Sequence, residues 1–582
     1  MGLNSIRKYF HELLYLLGDY KNKLPSFIFL FLCVSLLDVI GIGLIVPYVQ
    51  IIVDYNSATG GGYYDVLAFM GFSLLRDDML ITLSIILIVI FAIKLVAGIY
   101  IEGLIARFSE TQRAHLQNRL MSSYQYVDYL TFISKNTAYY INLIQSSTQF
   151  HGKSVYIILK LISNSMVIII VSSFLIINEP LVFASLFSFL AFLAIYYNYS
   201  FGKRIKSIGR LNRIFSEKML QAVKEGMRGY KEIRILGKEL YFHKKVSNNS
   251  IDLSHVKAKF QILSKIPRYL FELAIICFLS VSVIVSVKAG YDVKMFTSTF
   301  ALFGIAAIRL MPLVNYISEG VNNLTYARDH VSLLYNDLKS NDNYEALKKE
   351  RKTNKNMSFV SIDLKDVSFS YSSAKLHSLN NITMSIRRGE SIGIVGASGS
   401  GKTTLVNMIL GLINPQKGSV SYNGKPLIKH IEELYSKAAY LPQEAFILDD
   451  TLKKNIALGT EDHEIDDDLV YESLQQASLT SLVEELPNGI ETFLGEDGVR
   501  LSGGQRQRVV IARAFYHGRD LFVMDESTSA LDNKTEQEII SEIKKLKGLK
   551  TLIVIAHRMS TVEYCDRIYS LNKGRIKLTT QS

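Results

Sequence analysis

Tryptophan is absent from the 582 residues, and cysteine is nearly so, with three. Without tryptophan, an aromatic girdle at a membrane surface has to be built from the 33 tyrosines and 30 phenylalanines. Cys33, Cys277 and Cys565 are far apart, and Cys33 and Cys277 sit inside apolar segments. That spacing gives neither a disulfide framework nor a metal-binding pattern. Charge is modest at 20%, against 49% hydrophobic residues. Mean hydropathy is +0.19, high for a soluble protein. The apolar residues cluster before about residue 320, so a membrane part is expected. The net charge of +12 then reads as cytoplasmic Lys and Arg near membrane ends, not as a nucleic-acid surface. The length exceeds what one core supports, so two or more domains are expected.

Residues 1–24 are amphipathic, with Ile6, Phe10, Leu13, Leu14 and Leu17 at helical spacing. No small-residue cleavage site follows a short apolar core, so the segment reads as an interfacial helix, not a cleaved signal. Six stretches are long and apolar enough to cross a bilayer: 27–50, 79–103, 154–178, 180–201, 268–288 and 295–318. The third and fourth are joined by a tight turn at Asn178-Glu179, and the fifth and sixth by a short turn around Gly290-Tyr291-Asp292. Residues 104–153 and 202–267 are long, polar and basic, with Arg107, Arg113 and Arg119 in the first and Lys203, Arg204, Lys206 and Arg210 among many in the second. Positive charge marks the cytoplasmic side, which puts both termini there. The external loop 54–78 carries three glycines and a short apolar run that suits a small helix. Helices of 40 or more residues can continue through the two cytoplasmic loops. Each loop then needs a turn at its far end, at Tyr129–Asn136 and Gly226–Gly237. Both turns are candidates to press on a soluble domain, the second because Ile233, Ile235 and Leu236 need covering.

Charges inside the spans are costly and face a cavity or a partner. Asp38, Lys94, Arg268, Glu272 and Arg309 are of this kind. Arg268 and Glu272 stand four apart on one helix face and suit a structural pair. Asp38 is a candidate partner for Lys94. Arg309 has no acidic neighbour on its own helix. The remainder is positive, which suits an anionic substrate such as a phosphate or pyrophosphate head group.

Residues 336–357 are strongly polar and form a linker between a helical domain, 1–335, and a domain at 358–582 in which short apolar strands alternate with helices. In the second, Gly396–Thr403 reads GASGSGKT, between an apolar strand at 391–395 and a helix from Thr404. A strand, a glycine-rich loop and a helix are the setting of the Walker A phosphate loop, where backbone N–H groups at a helix N-terminus favour negative charge. Gly396, Gly399 and Gly401 let the backbone curl, with Ser398 and Ser400 between them. Lys402 reaches the β- and γ-phosphates, Thr403 ligates Mg²⁺, and Thr404 continues the helix. Tyr371, in VSFSY, could stack on adenine. Gln443, in YLPQ, could contact Mg²⁺ and the attacking water.

Residues 501–505 read LSGGQ before a helical run. Ser502, Gly503, Gly504 and Gln505 would place a hydroxyl and N–H groups at a helix N-terminus, a second phosphate surface. One phosphate loop and one such surface per chain are explained by two copies packed head to tail. In LFVMDE, four apolar residues form a buried strand ending in Asp525, which can hold Mg²⁺ through water, and Glu526 can orient or deprotonate the attacking water. Ser529-Ala530-Leu531-Asp532 could cross the dimer interface. The strand 551–556 ends at His557, placed to reach the γ-phosphate.

In this order, GASGSGKT, YLPQ, LSGGQ, LFVMDE, SALD and His557 resemble the nucleotide-binding domain of ABC transporters. With six spans ahead of them, the whole chain looks like a half-size ABC exporter. The resemblance implies an α-helical transmembrane domain followed by an α/β P-loop domain, with ATP and Mg²⁺ as cofactors. It also implies a homodimer of twelve spans, with Glu526, His557 and Gln443 catalytic. Ile447-Leu448-Asp449 departs from the aromatic many exporters carry there. Shorter stretches, IGIGLIVPYV, IPRYLFE, IRLMP and KEIRILGKE, are similar to bacterial flippases of lipid-linked oligosaccharides. That likeness implies a polyprenyl-pyrophosphate glycan as substrate, with Lys94, Arg268 and Arg309 as candidate contacts for its pyrophosphate, and the bacterial inner membrane as location. The competing expectation is an exporter of peptides, other lipids or amphipathic drugs, which the charged interior disfavours.

Overall fold

The computed structural model describes residues 3–53, 76–178, 180–288, 293–341, 358–371, 377–525, 537, 541, 543–556 and 559–579. The side chains of Asp38 and Arg309 are outside that description, as are the loop 54–75 and the turn around Gly290-Tyr291-Asp292. The chain divides into two compact units, Met1–Val127 with Ile133–Tyr344, and Asp128–Phe132 with Glu345–Ser582.

The first unit is helical: α1 (Leu3–Leu17), α2 (Leu24–Val53), α3 (Arg76–Tyr126), α4 (Tyr129–Ile133), α5 (Thr137–Asn142), α6 (Thr148–Asn178), α7 (Pro180–Arg228), α8 (Tyr230–Ile235), α9 (Glu239–Lys288) and α10 (Val293–Ser340). Of these, α4 belongs almost wholly to the second unit. Helix α3 has 51 residues. At 1.5 Å per residue that is about 75 Å, far more than the roughly 30 Å of a bilayer core. Helices α7, α9 and α10 are nearly as long, so the polar loops of the sequence are continuations of spanning helices. Among the described residues five helical stretches are long and apolar enough to cross a membrane, one of them joining α1 to the start of α2. The sixth expected span falls in α10, where side chains before Leu310 are not described. Ile88, Leu95, Val96 and Ile99 of α3 are exposed, as a helix facing lipid requires. Helix α9 packs along α7, and α10 along α6 and α7. At one crossing the absence of a side chain is essential, because a Cβ on Gly209 would lie 2.1 Å from the Tyr326 carbonyl oxygen.

The second unit holds a four-stranded antiparallel sheet and a six-stranded mixed one. The first runs β2 (Leu379–Arg387), β1 (Ser361–Phe369), β4 (Lys417–Tyr422), β5 (Lys425–Pro426). The second runs β10 (Arg575–Thr579), β9 (Arg567–Asn572), β3 (Ser391–Val395), β8 (Thr551–Ala556), β7 (Leu521–Asp525), β6 (Ala438–Leu441). Strands β9, β3, β8, β7 and β6 are parallel, and β10 is antiparallel to β9. Buried on both faces, β7 and β8 read as unbroken apolar runs. Their side chains still alternate. Leu521 and Val523 enter one core with Ile392, Ile394 and Leu405, whereas Phe522 and Met524 enter the other with Val509 and Leu474. Tyr129 and Leu130 of α4 pack against the first of these cores.

Candidate functional site: a phosphate loop at the edge of the parallel sheet

The sheet register sets the site. Val395 pairs with Ala556, and Asp525 with Ile555, so β3, β8 and β7 end side by side. Leu441 pairs with Met524, which brings the end of β6 to the same edge. Ligands of open α/β sheets bind outside the carboxyl ends of such strands. The four strands therefore end at one edge, with Gly396–Thr403 following β3 and Gln443 following β6 there, while Glu526 and His557 come next in the sequence after β7 and β8. Glu526, Asp532 and His557 themselves lie outside the described residues.

The loop after β3 is shaped to accept a phosphate. Gly399 and Gly401 have φ of 75° and 107°, which glycine adopts without strain. A Cβ on Gly401 would lie 2.4 Å from the Ser378 carbonyl oxygen, and one on Gly396 would lie 2.4 Å from that of Leu571. Both positions are closed to any side chain. Helix α11 (Lys402–Ile409) starts directly from Gly401. Lys402 is buried at 5% exposure, and its Nζ donates to the carbonyl oxygens of Gly396 at 2.9 Å and Ala397 at 3.2 Å. The ammonium is thus held across the loop. Ser398, Gly399 and Thr403 are exposed, while Ser400 and Thr404 are buried. Ser400 Oγ is buried without a protein partner. An orphaned hydroxyl, a side-chain-free cradle and a fixed ammonium together fit a nucleotide phosphate chain.

Asp525 closes β7 at 8% exposure, and one carboxylate oxygen accepts from the Tyr440 hydroxyl at 3.2 Å. Burial and that carboxylate raise the Tyr440 pKa and keep the phenol a donor. Tyr440 sits three residues before Gln443, and Tyr129 is among the groups acting on it. Its role was missed in the sequence, where YLPQ drew attention only to the glutamine. The alternation of β6, which puts Tyr440 on the face opposite the buried Leu441, was the available signal. Asp525, Thr403 and Gln443 are the residues present that would hold Mg²⁺. Tyr371 is half-buried against the first core and meets Phe369 edge-on at 5.0 Å.

LSGGQ forms the start of α12 (Gly503–Tyr516). Ser502 Oγ accepts from the Gln505 N–H at 3.2 Å, and Gln505 Oε1 accepts from the Ser502 N–H at 2.7 Å. This reciprocal capping box fixes the helix entry. Ser502 is exposed and Gly503 half-buried, so the positive end of the helix faces outward.

Of the three candidate substrate contacts in the helical unit, the side chains of Lys94 and Arg268 are described, and they have different neighbours. Lys94 lies over the Phe91 ring at 5.3 Å and lines a groove of about 500 Å³ with Gly98, Glu102 and Lys160. Glu102 accepts from both Tyr156 and Lys160. These two charges also fall inside expected spans and were overlooked. Arg268 is exposed, and its Nε donates to Glu272 at 2.8 Å, the pair anticipated from their spacing. Asp38, the expected partner of Lys94, and Arg309 lie outside the described side chains. A larger cavity of about 1030 Å³ opens between α6, α7, α9 and α10. Lys153, Lys257 and Lys265 line it, and Lys265 pairs with Glu319 at 3.0 Å.

Residues 379–529 match the family model described as ABC transporter. The second unit therefore carries an ABC transporter domain, an α/β nucleotide-binding fold, and it follows a helical unit with several long apolar helices. Its fold is that of a solved bacterial Atm1-family ABC exporter with ATP bound, at a TM-score of 0.76 over 96% of this chain and 95% of that one, with 18% identity. Among named relatives it is similar to the ATP-dependent lipid A-core flippase of Ralstonia nicotianae, 30% identical over 64% of this chain and 63% of the relative. It is 42% identical to the flippase of that name from Saccharophagus degradans, over 37% of this chain and 36% of the relative. The matched stretches thus span less than two thirds of the length of these relatives.

Proposed function

We propose that this chain is one subunit of an ATP-driven exporter that flips a lipid-linked oligosaccharide with an anionic pyrophosphate head group across a bacterial inner membrane. Both termini are cytoplasmic in this reading, and the working unit is a homodimer. The observation that carries it is the division of the nucleotide site. The chain holds one phosphate loop, at Gly396–Thr403, and one exposed, capped helix N-terminus at Ser502, on separate elements. A phosphate chain seated on the first still presents negative charge outward, and the second is built to receive it from another copy. Bound Mg-ATP supplies a phosphoanhydride bond whose γ-phosphate carries the charge that draws the two copies together. Lys402 would hold that charge, Thr403, Asp525 and Gln443 would hold the metal, and Glu526 would orient water for attack. His557 steadies the γ-phosphate.

Ile235 and Leu236 support the second copy: they stand 75% and 68% exposed at the tip of a long hairpin, although Ile233 beside them is buried within its own unit. Lys153, Lys257 and Lys94 support an anionic cargo. The relatives named as lipid A-core flippases support a glycolipid.

The test is reconstitution of the full chain in liposomes holding fluorescent lipid-linked oligosaccharides, other anionic lipids or a hydrophobic peptide. The expected result is ATP-dependent movement of the lipid-linked sugar, lost in Glu526→Gln. Movement of the peptide alone, with none of the lipids, would assign the chain to peptide export.

A further inference from the structure

The chain passes between its two compact units at three places: after Val127, after Phe132 and after Tyr344. The first two bracket α4, which belongs to the nucleotide-binding unit yet is strung covalently between α3 and α5 of the helical unit. The third follows α10. Inside the helical unit, one buried carboxylate holds all three of these chain segments. Asp337, in the last turn of α10, is 4% exposed. Its Oδ2 accepts from the Tyr124 hydroxyl at 2.7 Å, in the last turn of α3. Its Oδ1 accepts from Lys135 Nζ at 2.9 Å and from the Tyr139 hydroxyl at 3.0 Å, just beyond α4.

The surroundings stiffen this arrangement. Tyr124 and Tyr140 meet edge-on at 4.8 Å, and Tyr139 and Tyr140 at 5.5 Å. Lys135 Nζ lies 4.4 Å from the centre of the Tyr139 ring. Asn136 caps α5 by accepting from the Tyr139 N–H at 2.7 Å. Leu120, Leu334 and Leu338 enclose the whole as core. Burial and the Asp337 carboxylate raise the pKa of Tyr124 and Tyr139, so both phenols remain donors. A carboxylate removed from water is costly unless paired and hydrogen-bonded. Here three donors from two other segments satisfy it, and none of them is supplied by α10 itself. The carboxylate is therefore content only while α3, α5 and α10 keep this spacing.

We propose that Asp337 is a positioning residue for coupling: it makes both flanks of α4 and the end of α10 move as one body. A displacement of the nucleotide-binding unit, arriving through α4, then reaches α3, α5 and α10 together and is not absorbed by bending of the short flanks. This rests on the exporter reading above.

The experiment compares the full chain with Asp337→Asn, Asp337→Glu and Tyr124→Phe in liposomes, reading ATP hydrolysis and lipid translocation on the same vesicles. Asp337→Asn and Tyr124→Phe are expected to hydrolyse ATP within about twofold of the parent, while lipid moved per ATP falls about fivefold, and Asp337→Glu to recover part of it. Equal loss of both readouts, or an unchanged ratio, overturns the proposal. Amide hydrogen exchange with and without ATP provides a reading that needs no transport. In the parent, ATP-induced changes are expected at 128–132 together with 120–126 and 334–340, and in Asp337→Asn at 128–132 alone. The same extent in both proteins refutes the clamp. A parent that shows these exchange changes but moves no lipid would contradict the exporter reading and leave the clamp standing.

Discussion

Gly401 illustrates how a single residue decides whether this loop can exist. Its φ of 107° and the Ser378 carbonyl 2.4 Å from where a Cβ would stand exclude any L side chain. Gly401→Ala must move backbone, not a pliable side-chain tip, and is expected to cost about 1–3 kcal/mol. The check is thermal unfolding with and without ATP: nucleotide raises the parent's Tm and should leave that of Gly401→Ala nearly unmoved. Lys402 is the other residue on which the site turns. Lys402→Ala removes the ammonium held across the loop, and hydrolysis should fall by at least about 100-fold in a steady-state assay. Gly396–Thr403 was fully legible, because strand, loop and helix are encoded by adjacent residues. Tyr440 was not. Its partner Asp525 lies 85 residues away, and nothing local in YLPQ says which strand β6 will pair with.

At the scale of elements, the reach of the helices followed from their apolar spans and basic continuations. What α4 belongs to did not follow. Tyr129–Asn136 was legible as a turn that could press on a soluble domain, but the core that Tyr129 and Leu130 join is built by residues beyond 358. The capping box at the start of α12 was not read in LSGGQ, although Ser502 and Gln505 stand at the spacing it requires. Ser502→Ala removes the acceptor for the Gln505 N–H and should destabilise the nucleotide-binding domain by about 1 kcal/mol in thermal unfolding.

Helices α6, α7 and α10 meet around a buried histidine that sequence alone did not single out. His330 Nδ1 lies 3.0 Å from Ser147 Oγ, its ring stacks on Phe150 at 4.1 Å, and Asn212 approaches its other nitrogen at 3.5 Å. Burial, with Arg213 beside it, lowers its pKa from 6.5 to about 3. The unfolded chain therefore binds a proton between those values that the folded chain refuses, so stability rises with pH through that window. The contribution is present in full above the ordinary histidine value and is lost as pH falls towards the folded one. Tm measured from pH 7.5 to 5 should decline, and His330→Gln should flatten the decline. An equal slope in both proteins would assign it to other groups.

For the molecule as a whole, the two-domain plan was written in composition: apolar residues early, a polar linker, then alternating strands and a helix-opening loop. The cavity was written less plainly. Lys94, Arg268 and Arg309 were chosen because a charge in a span is conspicuous, yet Glu102 and Lys160 lie in spans too and pair across α3 and α6. Which intramembrane charges satisfy each other depends on helix rotation, which hydropathy does not encode. The lysines of the larger cavity, Lys153, Lys257 and Lys265, lie in stretches that read as ordinary basic loops.

The central claim is that one copy's phosphate loop and another copy's Ser502 helix form a single ATP site. Mixed dimers test it most directly. Lys402→Ala disables one element and Ser502→Arg the other, so neither variant alone should hydrolyse ATP. Co-expressed, the two should regain hydrolysis, because their mixed dimer contains one intact composite site. Pairing the parent with a chain carrying both substitutions leaves no such site in the mixed dimer. Recovery in the first mixture but not in the second mixed dimer is the predicted result. No recovery in the first, with activity retained by the second mixed dimer, would show that each chain completes its own site and would contradict the account.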